Sequence, residues 1–166
     1  MIRILLADDE GLMLNSMKTI IATNFGDECE VFTAKTGRVA VEIAEEEKPD
    51  IALMDIHMPG LNGIEAMQKI REKNKNIQFI VITAYNKFDY AKDAISIGVF
   101  DFLSKPVSKA SIIDVLTRAI KSVEEKRKKK IDNIRIREKL ETVIPIIENG
   151  FVSNLLLQNG SKSENE

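Results

Sequence analysis

Five short runs of apolar, largely β-branched residues recur along this chain, each separated from the next by a segment with helical spacing. The runs are Ile2–Ala7, Cys29–Ala34, Ile51–Asp55, residues 77–83 and residues 99–103. Unbroken apolar stretches such as Ile80-Val81-Ile82 suit parallel strands covered on both faces, whereas a half-solvated strand would alternate. Between the runs, Leu12, Met13, Met17, Ile20 and Ile21 share one helical face, as do Val39, Val41, Ile43 and Ala44. Ile64, Met67 and Ile70 repeat the pattern, followed by Tyr90, Ala91, Ala94 and Ile95. A fifth helix is expected from about Ser108, carrying Ile112, Ile113, Leu116, Ile120 and Val123. Gly63 is placed to open the third helix and Gly98 to close the fourth at its C′ position. Strands alternating with helical crossovers predict a doubly wound α/β domain around a five-stranded parallel sheet.

The fifth helical pattern continues past the point where such a domain could close, with no Gly or Pro before Pro145. Its heptad-like positions 116, 120, 123, 127, 130, 134, 137, 141 and 144 hold Leu, Ile, Val, Arg, Lys, Ile, Arg, Glu and Ile. The polar middle interrupts the seam, so the pattern does not support a strong coiled coil. The expected organisation is a domain over 1–123, a basic helical linker with a short amphipathic segment over 124–157, and a disordered polar tail over 158–166. The helix is expected to stop at Pro145, before the amphipathic piece at 146–157.

Composition excludes several classes. Apolar residues at 44% and charged residues at 30% are in the range of globular proteins. The single cysteine, Cys29, permits no internal disulfide and is expected to be a small buried hydrophobe. One histidine rules out a His-rich metal site. No apolar run approaches the roughly 20 residues that span a bilayer, and the first run is too short for a signal-peptide core. The expectation is a cytoplasmic protein in a reducing compartment. A net charge of −2 gives no global reason to bind nucleic acid. Residues 121–139, however, carry nine Lys or Arg against four acids, net +5, leaving −7 elsewhere. Such a stretch can meet phosphates, but it is more often a solvated helix face, and no aromatic residue lies between Phe102 and Phe151 to stack on bases.

In an open parallel sheet, ligands bind beyond the carboxyl ends of the strands. Here the first strand is followed by Asp8, Asp9 and Glu10, the third ends in Asp55, the fourth in Thr83-Ala84, and Lys105-Pro106 follows the fifth. Close carboxylates repel one another unless one holds a proton or a cation intervenes. Mg²⁺ prefers such hard oxygen ligands. A lysine and a small hydroxyl residue are apt donors to a transferring phosphoryl group, and a carboxylate can be its nucleophilic acceptor. Alone, each feature has a plainer reading. Asp-Asp-Glu is a common helix start, Asp55 before Ile-His-Met-Pro-Gly can begin a turn, and Lys-Pro says little. Their joint placement on one rim is the informative signal.

Over roughly residues 1–123 these segments resemble the response-regulator receiver domain of two-component systems, a CheY-like family. The resemblance rests on Ile-Leu-Leu-Ala-Asp8-Asp9-Glu10, on Pro49-Asp50-Ile-Ala-Leu-Met-Asp55-Ile-His57-Met58-Pro59-Gly60-Leu-Asn62-Gly63, on Ile82-Thr83-Ala84-Tyr85, and on Gly98-Val-Phe-Asp101-Phe102-Leu-Ser-Lys105-Pro106. It implies a flavodoxin-like strand order, 2-1-3-4-5, with an extended C-terminal helix. It also implies that Asp55 accepts a phosphoryl group from a sensor histidine kinase and that Asp9 and Asp55 bind Mg²⁺ directly. Asp8 would help through water, and the backbone carbonyl of His57 would complete the protein ligands. Thr83 and Lys105 would hold the phosphoryl oxygens, with Ala84 leaving room beside them. Lys105–Pro106 would be the family's cis peptide, aiming Lys105 inward. Phe102 occupies the switch-aromatic position, with a plain core Phe as the alternative, and His57 and Tyr85 hold the positions that tune phosphoaspartate lifetime. Such a domain is a self-phosphorylating and self-dephosphorylating switch rather than an enzyme with an external product.

More loosely, the receiver, the charged helix and the segment 143–157 resemble the front half of regulators with a C-terminal AraC-type DNA-binding domain. DNA contact would then come only through an output domain not present in this chain, and Leu155-Leu156-Leu157 would pack on that part. Alternatives are a stand-alone module acting on a separate effector, a phosphorylation-independent interaction domain, and a homodimer formed through the receiver or the C-terminal helix. A haloacid-dehalogenase-type phosphatase also uses Asp, Mg²⁺, Thr and Lys. It needs an acid two residues after the nucleophile, where this chain has His57, and its nucleophile lies on the first strand. A flavodoxin-like electron carrier would need a Ser/Thr/Gly phosphate loop after the first strand in place of the acids.

Overall fold

The computed structural model describes residues 1–84 and 91–150, with side chains for 1–84 and 92–140. Five strands, β1 (Ile2–Ala7), β2 (Cys29–Ala34), β3 (Ile51–Asp55), β4 (Gln78–Thr83) and β5 (Asp101–Ser104), form one sheet in the order β2-β1-β3-β4-β5. Every pairing is parallel. The helices are α1 (Gly11–Phe25), α2 (Gly37–Glu47), α3 (Gly63–Lys73), α4 (Ala91–Ile97) and α5 (Lys109–Gly150). The doubly wound fold and the strand order expected from the sequence are both present.

Alternation along the strands divides the core in two. Leu5, Ala7, Ala52, Met54, Phe79 and Val81 face one side with Ala40, Ala44, Met67 and Ile70 of α2 and α3. Ile4, Leu6, Ile51, Leu53, Ile80 and Ile82 face the other with Leu14, Met17 and Ile21 of α1 and Ile112, Val115, Leu116 and Ala119 of α5. Each fully buried Leu or Ile contributes about 1.5–3 kcal/mol relative to exposure, so the central strands hold the sheet rigidly beneath its rim. Cys29 is only half-buried, contrary to the expectation of a buried core thiol, because it begins the edge strand β2.

Local signals set the helix ends. Asn62 and Glu65 form a capping box at the start of α3, and Thr36 caps α2 through the Val39 amide. Ser108 receives the Ser111 amide on its Oγ ahead of α5. Gly98 takes φ +83°, which favours glycine, and its amide and that of Val99 both reach the Ala94 carbonyl to close α4. Two boundaries depart furthest from expectation. β5 begins at Asp101, two residues later than read, because the chain leaving the Gly98 turn first bonds through the Phe100 amide to the Phe79 carbonyl. α5 does not stop at Pro145 but runs to Gly150, an interior proline being able to kink a helix rather than end it.

The chain divides into two units, Met1–Val123 and Glu124–Glu166. In the second, Ile131, Ile134, Ile136 and Leu140 are exposed along α5. Among the described residues no helix is long and apolar enough to cross a membrane.

Candidate functional site

The carboxyl rim is built from the tightest part of the sheet. β3 is buried along its whole length, and the Ile56 amide beyond it bonds to the Ile82 carbonyl of β4, fixing Asp55 at the centre. Gly63 opens α3 directly beneath. A β-carbon there would lie 2.2 Å from the Asp55 carbonyl oxygen, so only glycine allows the loop from Asp55 to fold back this closely. Asp8 is set at the end of β1 by its amide, which donates to the Ala34 carbonyl, while its Oδ1 accepts from the Glu10 amide.

Asp8 and Asp55 are buried, at 0% and 3% exposure, and Asp9 is exposed beside them. One carboxylate oxygen from each of Asp8, Asp9 and Asp55 lies within 4.8 Å of the others. Lys105 reaches into the group from beyond β5, its own amide donating to the Thr83 carbonyl at 2.9 Å. Its Nζ lies 3.4 Å from Asp55 Oδ2, 3.3 Å from Asp8 Oδ2 and 3.2 Å from Glu10 Oε1. The Lys105–Pro106 peptide is cis.

The electrostatics follow from burial. Desolvation pushes the Asp55 carboxyl above the ordinary carboxylate range, and the neighbouring Asp8 charge adds to it; Lys105 and the His57 amide pull the other way. Asp8 is raised too, chiefly by desolvation, against the Glu10 amide and Lys105. For Lys105, desolvation favours the neutral amine, but the charges of Asp55 and Asp8, with its close contacts to the Glu10 and Asp8 carboxylates, outweigh it and push its pKa up to about 12. One ammonium therefore serves several carboxylates, and Asp8 Oδ2, though near it, has no hydrogen-bond partner. A buried anionic oxygen in that condition, with two other carboxylates in reach, fits a hard divalent cation. Asp8, Asp9 and Asp55 could hold Mg²⁺.

Thr83 is fully buried at the end of β4. His57 is exposed, and it is its backbone amide that faces Asp55. Phe102 is half-buried against the core on the α2–α3 side of the sheet. Tyr85 lies outside the described residues. The residue whose part went unread is Glu10: the acidic run was evident, but a contact across 95 positions to Lys105 was not.

An open doubly wound parallel sheet with clustered acids, a hydroxyl and a lysine on its carboxyl rim belongs to the class of α/β folds that carry their site at the strand ends. The sequence profile of the response regulator receiver domain matches residues 4–117, and the chain belongs to that family. Chemotaxis protein CheY of Thermotoga maritima is 38% identical over 119 residues, covering 72% of this chain and 98% of that protein. The uncharacterized transcriptional regulatory protein YesN of Bacillus subtilis is 30% identical over 156 residues, covering 94% of this chain but 42% of YesN. This chain thus spans less than half the length of that relative. Among solved structures, the REC domain of AraT, a response regulator from Geobacillus stearothermophilus, superposes with a TM-score of 0.68 at 32% identity, covering 75% of this chain and 97% of that one.

Proposed function

We propose that this receiver accepts a phosphoryl group on Asp55 from the phosphohistidine of a sensor kinase, in a Mg²⁺-dependent reaction, and that the acylphosphate switches an output. The observation that carries this reading is the buried Asp55 carboxylate, within ion-pair distance of Lys105 and grouped with Asp8 and Asp9. An Asp55 oxygen attacks phosphorus. The new O–P bond forms as the histidine N–P bond breaks, and its electron pair returns to the imidazole. Lys105 opposes the effect of burial and so favours the ionised form of Asp55, and its ammonium then donates to the phosphoryl oxygens, as does the Thr83 hydroxyl. When bound by Asp8, Asp9, Asp55 and the His57 carbonyl, Mg²⁺ supplies positive charge that offsets the crowded carboxylates and the incoming phosphoryl oxygens. Water later attacks phosphorus, releasing inorganic phosphate and restoring the carboxylate.

Movement of Thr83 toward the phosphoryl group, with Phe102 turning inward, biases a two-state element on the β4–β5 side of the domain. Transcription is the output that the relatives favour: YesN, YdfI and HptR are named as transcriptional regulatory proteins, and this chain spans only part of each. DNA contact would come through a further output domain.

The test is intact mass after incubation with phosphoramidate and Mg²⁺. A gain of about one phosphoryl group (roughly 80 Da) is expected, absent with EDTA and in Asp55→Asn. No gain under conditions that label a known receiver, or an equal gain in Asp55→Asn, would overturn the assignment.

A further inference from the structure

The three anions around Lys105 have different fates. Asp8 and Asp55 belong to the carboxylate group suited to a cation, and on the reading above Asp55 becomes the acylphosphate. Glu10 belongs to neither, yet its Oε1 is the nearest of the three, 3.2 Å from Nζ in a hydrogen bond. Its position makes that contact informative. Glu10 is the N-cap residue of α1, and its side chain makes no cap hydrogen bond to the free amides of the first turn. The carboxylate is turned to Lys105 instead, with 65% of the side chain exposed.

We propose that Glu10 is a positioning residue that holds the Lys105 ammonium at the rim in the resting state and competes for it with the phosphoryl oxygens. The inference rests on Asp55 being the phosphoryl acceptor. Once a cation offsets Asp8 and Asp55, Glu10 is the anion left to hold Lys105. Because the pair is partly solvated, it is weak and salt-sensitive, as a contact must be if it is to yield each time a phosphoryl group arrives. Glu10 thereby lowers the grip of the domain on its phosphoryl group.

Titration of beryllofluoride, a phosphoryl mimic, into the full ¹⁵N-labelled chain at saturating Mg²⁺, followed by backbone amide shifts, tests this. Glu10→Gln keeps the shape and removes the charge, so it should tighten beryllofluoride binding by about 2–5-fold, the range of a partly exposed ion pair. The gain should vanish at roughly 1 M salt, where the Debye length is about 3 Å. It should also vanish when Lys105→Met is the background, which a merely structural effect of Glu10 on α1 would not do. Unchanged or weaker binding in Glu10→Gln, or a gain that persists without Lys105, would sink the proposal while leaving Asp55 as acceptor intact. Failure of the unmutated chain to bind beryllofluoride would instead remove the Asp55 reading and this inference with it.

Discussion

At the amino-terminal rim of the sheet, Arg71 at the end of α3 bonds to five backbone carbonyls, those of Asn74, Lys75, Ile77, Ile97 and Gly98. Its guanidinium also lies 4.7 Å from the centre of the Phe79 ring. At the opposite rim, Asp8 and Asp55 are more deeply buried, share Lys105 with Glu10, and leave Asp8 Oδ2 without a hydrogen bond. Both rims remove charge from water. One charge meets five backbone acceptors and joins the α3–β4 turn to the end of α4; the other rim leaves one carboxylate oxygen, Asp8 Oδ2, without a hydrogen bond. A satisfied buried charge is scaffold, whereas an unsatisfied one is a place for a ligand to act.

The contrast is most exposed to test at Arg71. Arg71→Met keeps much of the apolar stem but leaves several carbonyls without donors, and it should cost about 3 kcal/mol of unfolding free energy. Urea denaturation measures this directly. A loss under about 1 kcal/mol would mean that water replaces the guanidinium readily, and the two rims would then differ less than their geometry implies.

At the other rim a ligand should restore what the protein lacks. Mg²⁺ binding only the folded state raises stability by about 2.7 kcal/mol at a concentration 100 times its dissociation constant. Thermal unfolding in Mg²⁺ against EDTA should show that gain, and Asp55→Asn should show a clearly smaller one at the same concentration because one carboxylate is gone. Equal gains would place the cation away from Asp55 and break the link between burial and ligand demand.

How much of this was visible beforehand depended on whether the cause is local. β1 and β3 follow their apolar runs residue for residue, because near-continuous burial writes itself into composition; β2 is an edge strand with only Ala34 buried, and its run is legible from the strand-forming Val31, Phe32 and Thr33. β5 starts two residues inside its apolar run, because the chain leaving Gly98 is first held by the Phe100 amide on the Phe79 carbonyl, a bond to a distant residue that composition does not reveal. The acids, Thr83 and Lys105 could be gathered onto one rim because parallel strands put all their ends together. The partners of Arg71 could not: they are backbone carbonyls from two separate turns, and carbonyls leave no mark on sequence. Glu10 had an ordinary explanation at a helix start, and only side-chain geometry shows that it turns elsewhere.

The smallest predicted effect is a pH dependence, and its sign is diagnostic. Desolvation raises both Asp8 and Asp55 in the folded state, above the ordinary value of 3.8. Over the interval from that value up to the raised ones, the folded protein holds more protons than the unfolded chain, so stability attributable to these groups falls as pH rises. This is the reverse of the usual paired carboxylate, whose lowered pKa adds stability above its unfolded value. Lys105 works in a separate window: its stabilisation is complete below 10.5 and is lost as pH rises through about 12. From 3.8 upward, well below the Lys105 window, the raised acids set the trend of this site. Urea unfolding in EDTA should therefore show Asp55→Asn gaining on the unmutated protein as pH increases across that range. Taking the difference cancels the exposed carboxylates common to both. Saturating Mg²⁺ should flatten the trend, since the cation then favours the ionised acids that burial disfavours. A difference that instead shrinks with rising pH would mean that Lys105 over-compensates the buried acids. The carboxyl rim would then be as fully satisfied as the Arg71 end, with no electrostatic reason to recruit a cation.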